Sequence, residues 1–302
     1  MIVKNRIILY TILLYYTKYK NTKMKGKAKK SENKSTDGVV LRKALLIGCN
    51  YAGTDSQLNG CINDIKNIKA HLLAHASFKD NEITMLSDHA GAKADELPTR
   101  KNIIKNIHNF VKDVPTTGKV VMFFHYSGHG SYTADLNGDE EDGYDETIVP
   151  LDYEKNGLLT DDDLKTLLVD TLPENVELYC IMDSCHSGTC LDLRYECRVK
   201  SVGSAKEYTF RNNKLTPNSL AKVILFSGCK DEQTSADAHI GRNYQGAMTW
   251  GFLEVHKQNK FQPMSYKTFL NRLQDLLFKS DYDQIPQLSS GKFLDLKEQF
   301  II

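Results

Sequence analysis

The chain has 302 residues, 41% hydrophobic and 25% charged, with a formal net charge of +1. This is an ordinary globular composition, enough for one large α/β domain or two small ones. Seven cysteines without CxxC pairs or Cys/His zinc spacing exclude a disulfide framework and a zinc ribbon, and they fit a reduced, cytoplasmic setting.

The small net charge hides an asymmetry. Residues 1–34 carry ten basic residues against Glu32, a net +9, which leaves −8 for the rest of a chain that totals +1. An acidic body favours cationic substrates and metal ions over nucleic acid. Residues 7–16 form an apolar run between Lys4, Arg6 and Lys18. A transmembrane helix needs about 20 apolar residues, and this run is shorter. It has the length of a signal-peptide core, but no small-residue cleavage site follows. Residues 1–40 therefore read as a dispensable or disordered extension, with Met24 as an alternative start. A membrane anchor or a signal are the alternatives, and membrane contact is expected only if residues 7–16 are retained.

From residue 41 to 302 the pattern is that of one domain. Ala44–Ile47 is expected as a buried strand, and 58–74 as a helix with Ile62, Ile65, Ile68, Leu72 and Leu73 at helical spacing. Residues 82–86 form the next strand, and Thr99 caps a helix running to Val111. Val120–Phe124 and Val176–Met182 are two more buried strands. Between them Thr160 reads as an N-cap, with Asp161, Asp162 and Asp163 in the first turn of a helix to Val169. Leu193–Leu220 is rich in Lys and Arg and reads as an exposed loop. Val223–Phe226 is a strand, 246–257 and 266–278 are helices, and 284–288 is expected as an edge strand. Alternating strands and helices imply an α/β fold, a mostly parallel central sheet with helices on both faces.

Chemistry is expected where two of these strands end. The run Glu177–Met182 breaks into Asp183-Ser-Cys-His-Ser-Gly188, and Val120–Phe124 leads into His125-Tyr-Ser-Gly-His-Gly130. In open α/β sheets ligands bind beyond the carboxyl ends of strands. One end offers the thiol of Cys185 and the other the imidazole of His129, a candidate Cys–His dyad. The alternative for Cys185 is a structural core cysteine. His125 lies inside its strand, His186 adjoins Cys185 and points the other way, and His256 sits on a helix. His129 alone lies between two glycines at a strand end. The backbone N–H groups of Gly130 and Cys185 are the natural donors to a tetrahedral oxyanion. No side chain is singled out to orient the histidine.

These residues belong to an ordered set: Ala44-Leu-Leu-Ile-Gly-Cys-Asn-Tyr51, Leu58-Asn-Gly-Cys-Ile-Asn-Asp64, Tyr126-Ser-Gly-His-Gly130, Asp142-Gly-Tyr-Asp-Glu146, Asp183-Ser-Cys-His-Ser-Gly188 and the stretch from Ser227 to Asp237. The set resembles the metacaspases, caspase-like cysteine peptidases, over roughly residues 41–302. The resemblance implies the caspase-like fold, His129 and Cys185 as the catalytic pair, and a monomer. It implies that Asp64, Asp183 and Ser127 line the pocket for the residue before the scissile bond. Two carboxylates there call for Arg or Lys in protein or peptide substrates. On spacing alone, Asp64 reads equally as a first-turn helix carboxylate.

The acidic run Asp135–Glu146 fails as an EF-hand, because its sixth position is Glu140 and not Gly. It reads as a solvated loop or as a source of hard oxygen ligands. The resemblance implies a Ca²⁺ site at Asp145, Asp161, Asp162 and Asp192. Arg194, Arg198, Lys200, Lys206, Arg211 and Lys214 are candidate self-cleavage positions for an enzyme that cuts after basic residues, or only a solvated basic surface. The rival function is a calcium-responsive scaffold without turnover. A metal hydrolase using His125, His129 and His186 lacks ligand spacing.

Overall fold

The apolar runs become strands buried on both sides, which is why they are continuous rather than alternating. In the computed structural model the described residues are 38–302, apart from 137, 139–142, 186, 203–204, 229–236, 241–242, 283 and 301. The expected extension over 1–40 lies outside them up to residue 37. The strands are β1 (Val39–Gly48), β2 (Ile83–Ser87), β3 (Lys119–Ser127), β4 (Gly130–Ala134), β5 (Tyr144–Ile148), β6 (Leu159–Thr160), β7 (Val176–Asp183), β8 (Tyr195–Val202), β9 (Ala205–Asn212), β10 (Lys222–Ser227), β11 (Asp237–Ile240), β12 (Asn243–Gly246), β13 (Met264–Ser265), β14 (Gln287–Ser290) and β15 (Gln299–Phe300). The main helices are α1 (Cys61–His75), α2 (Arg100–Val111), α3 (Asp161–Leu164, continued by a π-helical turn Lys165–Val169), α4 (Ala247–Gln258) and α5 (Tyr266–Lys279).

Eight strands make one sheet in the order β2-β1-β3-β7-β10-β14-β8-β9. The first five run parallel. The last three are antiparallel to their neighbours. Ala44 and Leu46 face a core layer with α1, α4 and α5, while Leu45 and Ile47 face a layer with α2 and the turn after α3. Both expected caps form: Thr99 Oγ1 accepts from Asn102 N–H at 3.3 Å and Thr160 Oγ1 from Asp163 N–H at 3.1 Å.

Two expectations are corrected. The segment 193–220 is not a loop, because most of it is the β8–β9 hairpin that completes the sheet. Its charges pair across the last two strands: Glu196 on β8 and Arg211 on the edge strand β9 are cross-strand partners, 3.7 Å apart, and Glu196 also pairs with Arg198 at 3.2 Å. Charged side chains are a common way to keep an edge from pairing with another chain. Arg198, Lys200, Lys206 and Arg211 are thus held in a ladder, and only Arg194 and Lys214 of the self-cleavage candidates lie outside strands. Likewise, β14 is not an edge: it lies between β10 and β8, because the hairpin adds two strands beyond it.

Candidate active site

Strands β3 and β7 are parallel neighbours whose final register pair is Ser127 with Asp183. His129 and Cys185 each stand two residues further on, so the sheet carries both to the same edge. Gly128 N–H donates to Asp183 O at 3.3 Å across the join. At Gly130 a Cβ would lie 1.8 Å from the Cys185 carbonyl oxygen, so only glycine lets the two turns approach this closely. Val149 N–H donates to His129 O at 3.1 Å while Gly130 faces Ile148. Gly130 and Ile148 are therefore a non-hydrogen-bonded pair, and the β4–β5 ladder makes no use of the Gly130 N–H.

His129 Nε2 lies 2.7 Å from the backbone carbonyl of Ser56. A carbonyl only accepts, so Nε2 carries the proton and Nδ1 is the basic nitrogen of the neutral ring. Side-chain patterns could not reveal this orienting group, because it is a main-chain oxygen. Among the described cysteines Cys185 alone is not buried. Burial raises the thiols of Cys49 and Cys180, and pushes Cys197 up to about 12. His125 is fully buried, donates or accepts at Thr249 Oγ1 (3.0 Å), and is pushed down to about 3 by desolvation. It is a core histidine, as its place inside the strand suggests. His186 lies outside the described residues.

Asp64, Asp183 and Ser127 come together at the N-terminus of α4. Asp64 is in the first turn of α1, but it does not cap that helix. It accepts Ser127 Oγ at 2.7 Å and Gly246 N–H at 3.0 Å on both carboxylate oxygens. Asp183 accepts Thr249 N–H at 2.7 Å. A Cβ on Gly246 would meet the Asp183 carboxylate at 2.1 Å, so the glycine brings the helix end between the two acids. Both side chains are buried. Both carboxylates thus accept backbone N–H groups at the start of α4.

The acidic loops are partly assembled. Asp161 is buried; its Oδ2 accepts Glu146 N–H at 2.9 Å and its Oδ1 accepts Asp162 N–H at 2.8 Å. Burial first, then the charges of Asp192 and Glu146, push the Asp161 carboxyl well above the usual carboxylate range. Asp192 has a φ of 43° and lies 4.0 Å from Lys165 Nζ. Asp145 is buried on β5. Glu146, which meets Asp161 through its N–H and its carboxyl, is a further member of this cluster that the resemblance, naming Asp145, did not single out. Among the described residues no three His, Cys, Asp or Glu side chains are arranged to hold a metal ion. Among the same residues no helix is long and apolar enough to cross a membrane.

The family model for the metacaspase peptidase C14 domain matches residues 42–194. Metacaspase-1B of Neurospora crassa is 40% identical over 299 residues, which cover 86% of this chain and 69% of that protein. Metacaspase-1 of Meyerozyma guilliermondii is 37% identical over 301 residues, 86% of this chain and 72% of the other. The crystal structure of a Geobacter sulfurreducens protein overlays with a TM-score of 0.58 at 26% identity, covering 85% of this chain and 97% of that one. Both strand-end turns fall inside the matched segment, and with these likenesses the chain belongs to the metacaspases, a family of caspase-like cysteine peptidases.

Proposed function

We propose that the chain is a Ca²⁺-dependent endopeptidase that cuts after Arg or Lys through an acyl-enzyme on Cys185. The observation that carries this reading is the half-open thiol and the tautomer-fixed imidazole set two residues beyond one register pair. His129 Nδ1 takes the thiol proton, and the thiolate attacks the carbonyl carbon of the scissile bond. The Gly130 and Cys185 N–H groups receive the oxyanion, a contribution worth about 10²–10³ in rate per donor elsewhere. The proton on His129 then passes to the leaving amine. Water, deprotonated by the same nitrogen, releases the acid and restores the thiol. A scaffold without turnover would have no use for a glycine that admits the Cys185 peptide at this distance. Hydrolysis by wild type and Cys185→Ala, read on short Arg-ended fluorogenic peptides, tests the reading: wild type cleaves and the variant does not.

The Arg/Lys preference rests on two buried carboxylates with helix amides as their other partners. Asp183→Asn keeps an oxygen for Thr249 N–H but removes the charge. It should raise KM for an Arg peptide and lower kcat/KM about tenfold or more, since a hydrogen bond to a charged group contributes roughly 1.5–3 kcal/mol. An unchanged KM, or a variant that prefers Asp peptides, contradicts the pocket. Asp183→Ala is a poorer probe, because it also leaves a buried N–H without an acceptor.

The donor set at Asp145, Asp161, Asp162 and Asp192 suits Ca²⁺. It consists of hard carboxylates from separate segments, and Asp161 stays protonated without a cation to offset Asp192 and Glu146. A bound Ca²⁺ would supply charge neutralisation and tie the segment leaving Cys185 to β5 and α3. Because the segments must close on the ion, affinity belongs in the weak range, about 10⁻⁴–10⁻³ M. Millimolar Ca²⁺ should therefore activate and Mg²⁺ should not. Asp161→Asn with Asp162→Asn should abolish calorimetric Ca²⁺ binding while leaving Cys185 open to alkylation. Equal activity in chelator and in Ca²⁺ contradicts this part of the reading. The monomer is retained as the assembly state, to be checked by light scattering.

A further inference from the structure

The main chain of His129 is gripped by two buried tyrosine hydroxyls. Tyr51 Oη accepts the His129 N–H at 3.0 Å and donates to Val149 O at 2.6 Å. Tyr126 Oη donates to His129 O at 2.7 Å. The hydroxyls are 3.1 Å apart, and both of their protons are committed to these carbonyls. Gly128 makes the room, since a Cβ there would meet Tyr126 Oη at 2.6 Å and Tyr51 Oη at 3.1 Å. Tyr51 also lies beside the imidazole, with ring centroids 4.7 Å apart at 38°. It holds a left-handed φ of 52°, which a bulky residue adopts only when its surroundings impose it. The short turn that follows is pinned by Thr54 Oγ1 to Tyr51 O at 2.8 Å and delivers Ser56, whose carbonyl takes Nε2. One segment thus holds the histidine by its peptide N–H and by its ring.

We propose that Tyr51 and Tyr126 are positioning residues for His129, fixing the ring so that Nδ1 faces Cys185. This rests on His129 being the base. A histidine on a Gly-flanked turn has little else to fix its backbone, and a misplacement of about 1 Å can cost as much as 10²-fold in rate. Apart from the hydroxyl, phenylalanine keeps the shape of tyrosine, so Tyr51→Phe and Tyr126→Phe remove the clamp with little loss of packing.

Two measurements need no peptide substrate. The first is the pH dependence of Cys185 carbamidomethylation by iodoacetamide, which reads how well the imidazole supports the thiolate. The second is the ¹⁵N shift of the His129 ring in a Cys185→Ala background, which reads the tautomer. The expected results are a reactive-thiolate limb displaced to higher pH in each variant, a mixed tautomer in Tyr51→Phe, and kcat reduced about tenfold with KM unchanged. Folded variants with the wild-type alkylation profile and a single Nε2–H tautomer overturn the proposal. If Tyr51→Phe does not fold, Tyr126→Phe decides, since it leaves both Tyr51 bonds in place. If neither folds, rapid tautomer exchange at His129 in the intact chain overturns the clamp, and a fixed Nε2–H form supports it. If peptides are not hydrolysed at all, the proposed function fails, while alkylation and ring shift still judge the clamp.

Discussion

Cys185→Ala should yield a folded protein whose peptide hydrolysis falls by at least about 10³-fold, and His129→Ala should fall as far. The thiol has no substitute nearby. The other described cysteines are buried, and burial raises the thiols of Cys49, Cys180 and Cys197. The imidazole has none either, since His125 is sealed in the core with its proton affinity pushed down to about 3. The two residues act on one proton, so the double variant should be no worse than either single one. Thermal melts close to wild type must accompany the result, because Cys185 is only half-buried and Ala fits its place. Substantial turnover in folded Cys185→Ala removes the nucleophile, and additive losses in the double variant separate the pair.

The second large effect is on stability against pH. His71, His125 and His256 are buried as neutral rings. Desolvation is the first cause in each case, assisted for His71 by His75 and for His256 by His71 and His75. Their values are pushed to about 4, 3 and 3 from an ordinary 6.5. Above pH 6.5 folded and unfolded chains are both neutral at these sites, and nothing is lost. Below it the unfolded chain takes up protons that the fold refuses, so stability falls with pH until the folded values are reached. Each histidine contributes about 1.4 kcal/mol per pH unit in that window. Asp161 works against one of the three, because it holds a proton in the fold that the unfolded chain has released above pH 4. Because the unfolded rings are only half-protonated at pH 6.5, the net loss between pH 6.5 and 5 is about 3 kcal/mol, still a large share of the 5–15 kcal/mol typical of a domain. Urea midpoints measured in chelator should drop steeply across that range. A flat curve from pH 6.5 to 5 contradicts the buried neutral rings.

Much of this was legible in residue order. The parallel strands could be seen because each is buried on both faces and reads as an unbroken apolar run. Thr99 and Thr160 gave their helix starts because a cap is a side chain at a fixed offset from the helix. The pairing of Asp64 with Asp183 came from the family resemblance; spacing allowed only a first-turn carboxylate. What stayed hidden was non-local or carried by the main chain. The β8–β9 hairpin escaped because its strands are charged and half-exposed at a sheet edge, where alternation is weak and pairing alone defines the structure. Glu146 escaped because its partner, Asp161 at the start of α3, is brought to it only by the fold. The Ser56 carbonyl and the tyrosine hydroxyls around His129 left no pattern, since a backbone oxygen has no letter and Tyr51 lies far from Tyr126 in the chain.

The proposed activity is that of a thiol peptidase whose pocket takes a cation. The most direct measurement compares hydrolysis of matched fluorogenic peptides ending in Arg, Lys or Asp by the intact chain, with millimolar Ca²⁺ and with chelator. The proposed activity requires turnover of the Arg and Lys peptides in Ca²⁺, little or none in chelator, and none of the Asp peptide under either condition. Preferential cleavage of the Asp peptide, or no cleavage of any by folded protein in Ca²⁺, would contradict it.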